Sequence, residues 1–334
     1  MTDLGISLAL LATTVLLCEA TRILISRLFS GKDYAIYLVE IVSTYQLCAC
    51  THELKVLGEV GRIEPHIALT LTFIITVVHV ITFHGAFANP NGAIENVYRK
   101  NITGKTAVAR ITCMFIGGKA AQLLVPHIWS LGLSDHHLTH KRFGFKCFSP
   151  INGSLLEAAG VELACTFAVQ AAVLHIHKLD ERFHAPVIAA VITSLVYSGG
   201  HISGAVFNPI MAFSVQFPCS GHTFLEYAFV YWLGPVTGGV ASFFSILLSW
   251  NSTPLAVGLQ ILGDLLRDLP VSPVSDPESL SFLWSSALLR WVIPRIFRRI
   301  PSSWISDVVP ASFFSPLSSS SLLSSSSDPS LAFA

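Results

Sequence analysis

Two Asn-Pro pairs and two glutamates are the residues of this chain whose spacing carries the most chemistry. Glu40 sits in the apolar stretch YLVEIVSTYQL and Glu162 in AGVELACTFAV, while HGAFANP (84–90) has its counterpart in SGAVFNP (203–209). Each pair of features is separated by about 120 residues, so one unit occurs twice. An Asn at the N-cap followed by Pro at the first helical position is a start signal. The side chain accepts from the helix's own N–H groups, and Pro supplies the right φ where its missing N–H costs nothing. The stretches that follow, from Asn91 to Lys100 and from Ile210 to Phe217 before Pro218, reach only roughly 12 to 15 Å as helices. That is half a bilayer. Each predicted half-helix begins with about half a positive charge. Two of them meeting start to start would concentrate donors at mid-membrane, a place that suits the oxygen of a neutral polar molecule and repels a cation or a hopping proton.

The elements that must position these residues are membrane helices. The chain has 334 residues, 52% hydrophobic and 12% charged, with a mean hydropathy of +0.63, too apolar for a water-soluble domain. Twenty basic and twenty acidic residues cancel, which argues against a nucleic-acid partner. Apolar segments fall at about 4–25, 35–57, 66–83, 107–131, 154–176, 185–200 and 224–249, most of them near the roughly 20 residues that span hydrocarbon. Lipid offers no partner to a backbone amide, so spanning stretches must be helical. Each unit contains a helix with an intramembrane Glu, a second helix, a loop with Asn-Pro, a half-helix and a third helix. Three spans is an odd number, so the second copy is inverted. Six spans result, with 4–25 left over as an extra N-terminal hydrophobic segment.

The expected organisation is therefore an N-terminal segment and linker at 1–34, a channel-like unit at 35–249 (repeats 35–131 and 153–249), and a Ser/Pro-rich, mostly disordered tail at 250–334. A weakly apolar patch at 280–297, with Trp284 and Trp291, reads equally as a membrane-interface segment or a chance cluster. Arg22, Arg27 and Lys32 follow the first segment and place 26–34 in the cytosol, together with Arg99, Lys100, Lys105, Lys178 and Arg182. Lys141, Arg142 and Lys146 fall on the other side.

Other polar signals are weaker. DHHLTH (135–140) brings His136, His137 and His140 close in sequence, but it reads as a solvated loop, not a metal site. His84 and His201, just ahead of the boxes, are pore-mouth candidates, whereas His79 reads as an interhelical residue with its hydrogen bonds satisfied. Seven cysteines lie mostly in apolar runs without metal spacing and read as buried thiols. No metal or cofactor is implied, and no nucleophile–base pair supports an enzyme.

The repeated Asn-Pro box on two half-helices resembles the aquaporin family, over roughly residues 35–249. THEL (51–54), FNPIMAFSVQF (207–217) and CSGHTFLEYAFVYWLGPVTG (219–238) are similar to its intracellular superaquaporin branch. The resemblance implies an all-α membrane protein: a right-handed bundle of six transmembrane helices and two re-entrant half-helices in the lipid bilayer, as a homotetramer with one pore per subunit. It implies that Asn89 and Asn208 direct side-chain N–H groups into the pore and that Pro90 and Pro209 stack the half-helices. Glu40 and Glu162 would hold the re-entrant loops by accepting backbone hydrogen bonds. Cys219 matches the cysteine that marks the branch, as an intersubunit thiol or a buried one. Both boxes depart from Asn-Pro-Ala, with Asn91 and Ile210 at the third position, and Met211 stands where water-selective members carry the filter arginine. A passive channel for water or small neutral solutes, glycerol and hydrogen peroxide among them, in the endoplasmic reticulum or secretory vesicles is the leading expectation. The rivals are a poorly conducting scaffold plugged by Asn91 and Ile210, and a secondary transporter. Against the transporter stands the expectation that no other charged residue lies near the half-helices.

Overall fold

Helix starts follow their local signals. Thr2, Thr103, Ser134, Ser154 and Thr223 each cap a helix with a side-chain oxygen, and Ser154/Glu157 and Thr223/Glu226 form full capping boxes. Pro opens three more helices. The computed structural model describes residues 2–248 apart from Arg62. The tail at 250–334 and the patch at 280–297 lie outside the described residues. In chain order the helices are α1 (Asp3–Leu28), α2 (Ala35–Glu59), α3 (Pro65–Thr82), α4 (Pro90–Tyr98), α5 (Gly104–Ser130), α6 (Asp135–Arg142), α7 (Leu155–His175), α8 (His184–Ser203) and α9 (Pro209–Val215). They end with α10 (Phe224–Ala228), which passes through a π-helical turn at Phe229–Leu233 into α11 (Gly234–Leu248).

The chain is an all-α membrane protein. Among the described residues, five helical stretches are long and apolar enough to cross a membrane: Asp3–Leu28, Pro65–Thr82, Gly104–Ser130, Leu155–Lys178 and Glu181–Ser203. At 25 residues, α2 has the length as well, but it carries Glu40, Glu53, Lys55 and Glu59. The two repeats pack alike, α2 against α5 and α7 against α11, with α3 against α8 between them. Glycine makes the close crossings. A Cβ on Gly117 would stand 2.5 Å from the Ile41 carbonyl, and one on Gly238 would collide with the Leu163 carbonyl. Ile41 and Leu163 each follow one of the repeat glutamates.

Three expectations need correction. Arg22 is not a flanking cytosolic charge: it lies inside α1 at 2% exposure. Its guanidinium donates to Gln46 Oε1 at 2.7 Å and to Glu19 Oε2 at 3.0 Å, fastening α1 along α2. The segment DHHLTH is not a solvated loop but helix α6, because Ser134 caps it and His137 is drawn fully inside. The His137 imidazole meets Glu53 at 3.0 Å, and the same carboxylate accepts from Trp129 Nε1 at 2.8 Å and Ser7 Oγ at 2.5 Å. One buried carboxylate thus ties together α1, α2, α5 and α6. Finally, Cys219 is neither an intersubunit thiol nor a buried free one. It is bonded to Cys147, 72 residues away, joining the segment after α6 to the segment after α9.

The remaining five cysteines are free thiols, with Cys18, Cys48, Cys50 and Cys165 buried. Maleimide labelling of the denatured chain should therefore modify five thiols without reductant and seven after reduction. Labelling of all seven without reductant would count against the pair.

Candidate functional site: two Asn-Pro boxes and a shared cavity

Each box asparagine makes two kinds of bond. Asn89 Oδ1 accepts from Asn91 N and Asn208 Oδ1 from Ile210 N, both at 3.0 Å, so each caps its own half-helix. The amide nitrogens reach across: Asn208 Nδ2 donates to Ala88 O at 2.7 Å and Asn89 Nδ2 to Phe207 O at 3.4 Å. Half-helices α4 and α9 are thereby joined start to start, with Pro90 and Pro209 buried at their first positions. A carboxamide nitrogen has two hydrogens. Each asparagine therefore keeps one N–H that the crossing bond does not use.

The residue before each asparagine is strained. Ala88 (φ 49°) and Phe207 (φ 55°) are both left-handed and neither is glycine, a conformation that costs about 1–3 kcal/mol. Two fully buried glutamates hold them there. Glu40 Oε1 accepts from Ala88 N at 2.7 Å, and Glu162 accepts from Phe207 N at 2.7 Å, Val206 N at 3.0 Å and Ser203 Oγ at 2.7 Å. Glu40 also meets Arg110, whose Nε lies 2.6 Å from Oε2 and whose Nη2 donates to Gly85 O at 2.8 Å. The expectation that no other charge lies near the half-helices is wrong on this count. Lys55 adds to it, donating to Val215 O at 3.0 Å and Gln216 Oε1 at 2.9 Å where α9 ends. So does Glu95 on α4, which accepts from Gln170 Nε2 at 2.6 Å. All of these cations and carboxylates are spent on packing partners within the bundle.

Both boxes line one cavity of about 850 Å3. It extends from Glu95, Arg99 and His177 on the α4 side, past Asn89 and Asn208, to Met211, Lys55 and Gln216 on the α9 side. Met211 takes part in the lining, with Thr51 Oγ1 3.4 Å from its sulfur. Two pore-mouth candidates fall outside the lining. His84 is half exposed and pairs with Glu19 of α1 at 2.8 Å. His201 is exposed on α8, where its backbone carbonyl accepts from Asn152 Nδ2 at 3.0 Å. His79, taken from the sequence as a satisfied interhelical residue, does line the cavity.

The altered third positions of the boxes face away from the cavity. Asn91 is buried and donates through Nδ2 to Pro235 O at 3.2 Å. A Cβ on Gly239 would stand 2.6 Å from its carboxamide carbon. Ile210 is likewise fully buried, and a Cβ on Gly118 would stand 3.1 Å from its Cγ2. The glycine pairs Gly117-Gly118 and Gly238-Gly239 therefore do the same double task. The first glycine of each admits the glutamate-bearing helix of its own repeat, and the second makes room for the third box residue of the other repeat.

Half-helices joined start to start about a single cavity, inside a bundle of membrane helices built from an inverted repeat, define a membrane channel. The chain belongs to the family described as Major intrinsic protein, which matches residues 35–245. It is 33% identical over 250 residues to Aquaporin-11 of Homo sapiens, covering 74% of this chain and 92% of that protein. It is 35% identical over 242 residues to Aquaporin-12 of Mus musculus, covering 71% and 83% respectively. A match to Aquaporin-11 of Milnesium tardigradum is 24% identical and covers 72% and 87%. These relatives agree with the superaquaporin branch and with a resemblance to aquaporin twelve.

Sequence reasoning missed Arg110, Lys55 and both glycine pairs. The glycine pairs were legible as GG at matching places in the two repeats, though their partners were not. The packing of Asn91 on Gly239 predicts coupling. Gly239→Ala alone should cost about 1–3 kcal/mol through overpacking. Adding Asn91→Ala should restore most of that, measured as thermal midpoints of the full chain in detergent. Strictly additive effects would show that the two do not touch.

Proposed function

We propose that the chain is a passive channel for water, and for small neutral solutes such as glycerol or hydrogen peroxide. The observation that carries this reading is the pair of box carboxamides on one cavity. Each spends its oxygen on its own helix and one N–H on the opposite box, leaving one N–H for a passing molecule. A water oxygen that accepts from both asparagines has its hydrogens turned outward, along the conduit in both directions. It cannot also accept from a neighbouring water, so a relayed proton stops there. Two half-helix starts add positive potential at the same place and disfavour cations.

The permeant's breadth is set on the α9 side. Met211 brings no charge or donor to the cavity, which favours admission of solutes larger than water. The scaffold alternative needs Asn91 and Ile210 to plug the pore, and their packing against Gly239 and Gly118 supports the channel reading instead. The transporter alternative lacks a free carboxylate at the boxes, since Glu40 and Glu162 are engaged by Arg110 and by backbone donors.

An intracellular membrane fits the cysteine chemistry. Counting spans from a cytosolic linker at 29–34 puts Cys147 and Cys219 on the same non-cytosolic side, and a disulfide persists in an oxidising lumen such as that of the endoplasmic reticulum or a secretory vesicle. A homotetramer with one conduit per subunit is part of the same proposal.

Stopped-flow shrinkage of vesicles holding the purified full chain tests it. The wild type should pass water faster than bare lipid. Asn208→Asp, which replaces a donor by an acceptor, should slow it about tenfold. Met211→Arg should raise the water-to-glycerol ratio. Equal, lipid-like rates for wild type and Asn208→Asp would refute the channel.

A further inference from the structure

His79 has an environment that packing alone does not explain. It stands on the face of α3 that also carries Thr72, Ile75 and Thr76, and this face lines the cavity. The residue is 5% exposed, and its ring stacks on Phe83 with centroids 5.2 Å apart. Nε2 is sealed from solvent and has no hydrogen-bond partner among the described residues. Nδ1 is not sealed, and it too makes no hydrogen bond to a described residue. Other helical histidines here behave differently: His127 and His175 turn Nδ1 onto the carbonyl one turn back, at 2.7 and 2.8 Å. The threonines beside His79 have already spent their hydroxyl protons, on Ala68 O and Thr72 O. On α8, Ile188, Ile192 and Val196 give the same cavity an apolar wall.

A buried polar group without a partner costs about 1–3 kcal/mol, and an apolar side chain would remove that cost, as the α8 wall shows. Local rules are broken in this way where function requires it. A sealed nitrogen is tolerated more cheaply as a bare lone pair than as an N–H, so the proton belongs on Nδ1. We propose that His79 is a hydrogen-bonding station in the conduit, its Nδ1–H donating to the oxygen of a small neutral permeant. This rests on the reading that the cavity conducts.

The test uses the full chain in lipid vesicles, with water permeability per protein and the thermal midpoint measured for wild type, His79→Leu and His79→Gln. His79→Leu should lower permeability about fivefold, the effect of one lost hydrogen bond on a rate. Its midpoint should stay level or rise, because an unsatisfied group has gone. His79→Gln, which keeps a donor, should conduct within about twofold of wild type. Unchanged permeability in His79→Leu overturns the proposal. So do equal losses in both variants or a fall in both midpoints, which would make His79 a structural residue. A wild type no faster than bare lipid is a distinct result: it defeats the channel reading and this inference with it.

Discussion

A helix that begins halfway through a bilayer leaves backbone groups where no water can reach them. That constraint governs this molecule, and Glu40 and Glu162 meet it. Each buried carboxylate accepts from backbone N–H groups just ahead of an Asn-Pro box. Those bonds hold Ala88 and Phe207 in the left-handed region. With these residues turned, the Ala88 and Phe207 carbonyls accept from the asparagine of the opposite box, and the two half-helices lock together. This chain of bonds fixes the box asparagines on the cavity wall, so their placement depends on two side chains that lie outside its lining.

Much of this was legible in the sequence because it is repeated. A single Asn-Pro is common, but two of them, with two intramembrane glutamates at a matching offset, predict half-helices and an inverted repeat. The start signals also worked: Asn as N-cap and Pro at the first position are local devices that tertiary contacts did not override. What could not be read were pairings between distant residues. Ala88 and Phe207 are not glycines, so nothing in their types marks them as left-handed. The Cys147–Cys219 bond spans 72 residues and has no local sign. Arg22 looked like a flanking charge because the end of a hydrophobic run cannot tell an interface from a buried polar seam. The histidines divided the same way. His84 and His201 were placed by proximity to the boxes in sequence, whereas helical phase put His79 on the cavity-lining face of α3.

The third box residues show how a departure from a family's motif can be absorbed outside the cavity lining. Asn91 and Ile210 are larger than alanine, and the crowded centre of a bundle has no slack for added volume. The glycines opposite them provide it, each the second of a pair whose first member already brings two helices close. Size at these positions is therefore a matter between α4 and α11, or between α9 and α5.

The repeats share a frame and differ in how they neutralise it. In the first, Arg110 on α5 meets Glu40 and the Gly85 carbonyl, so a buried carboxylate is balanced by a buried cation. At the matching place in the second, about two helical turns ahead of the glycine pair, stands Tyr231, whose hydroxyl donates to the Ser203 carbonyl. Glu162 takes its bonds from Ser203 Oγ and from backbone N–H groups. Removing one partner of a buried ion pair leaves an uncompensated charge, whereas a network of neutral donors can lose one member and keep the rest. The Glu40 support therefore pairs a backbone donor with a buried cation whose loss would leave a buried charge, whereas the Glu162 support is built from neutral donors. A symmetric-looking site is thus held by unequal supports, ionic in the half carrying Asn89 and neutral in the half carrying Asn208.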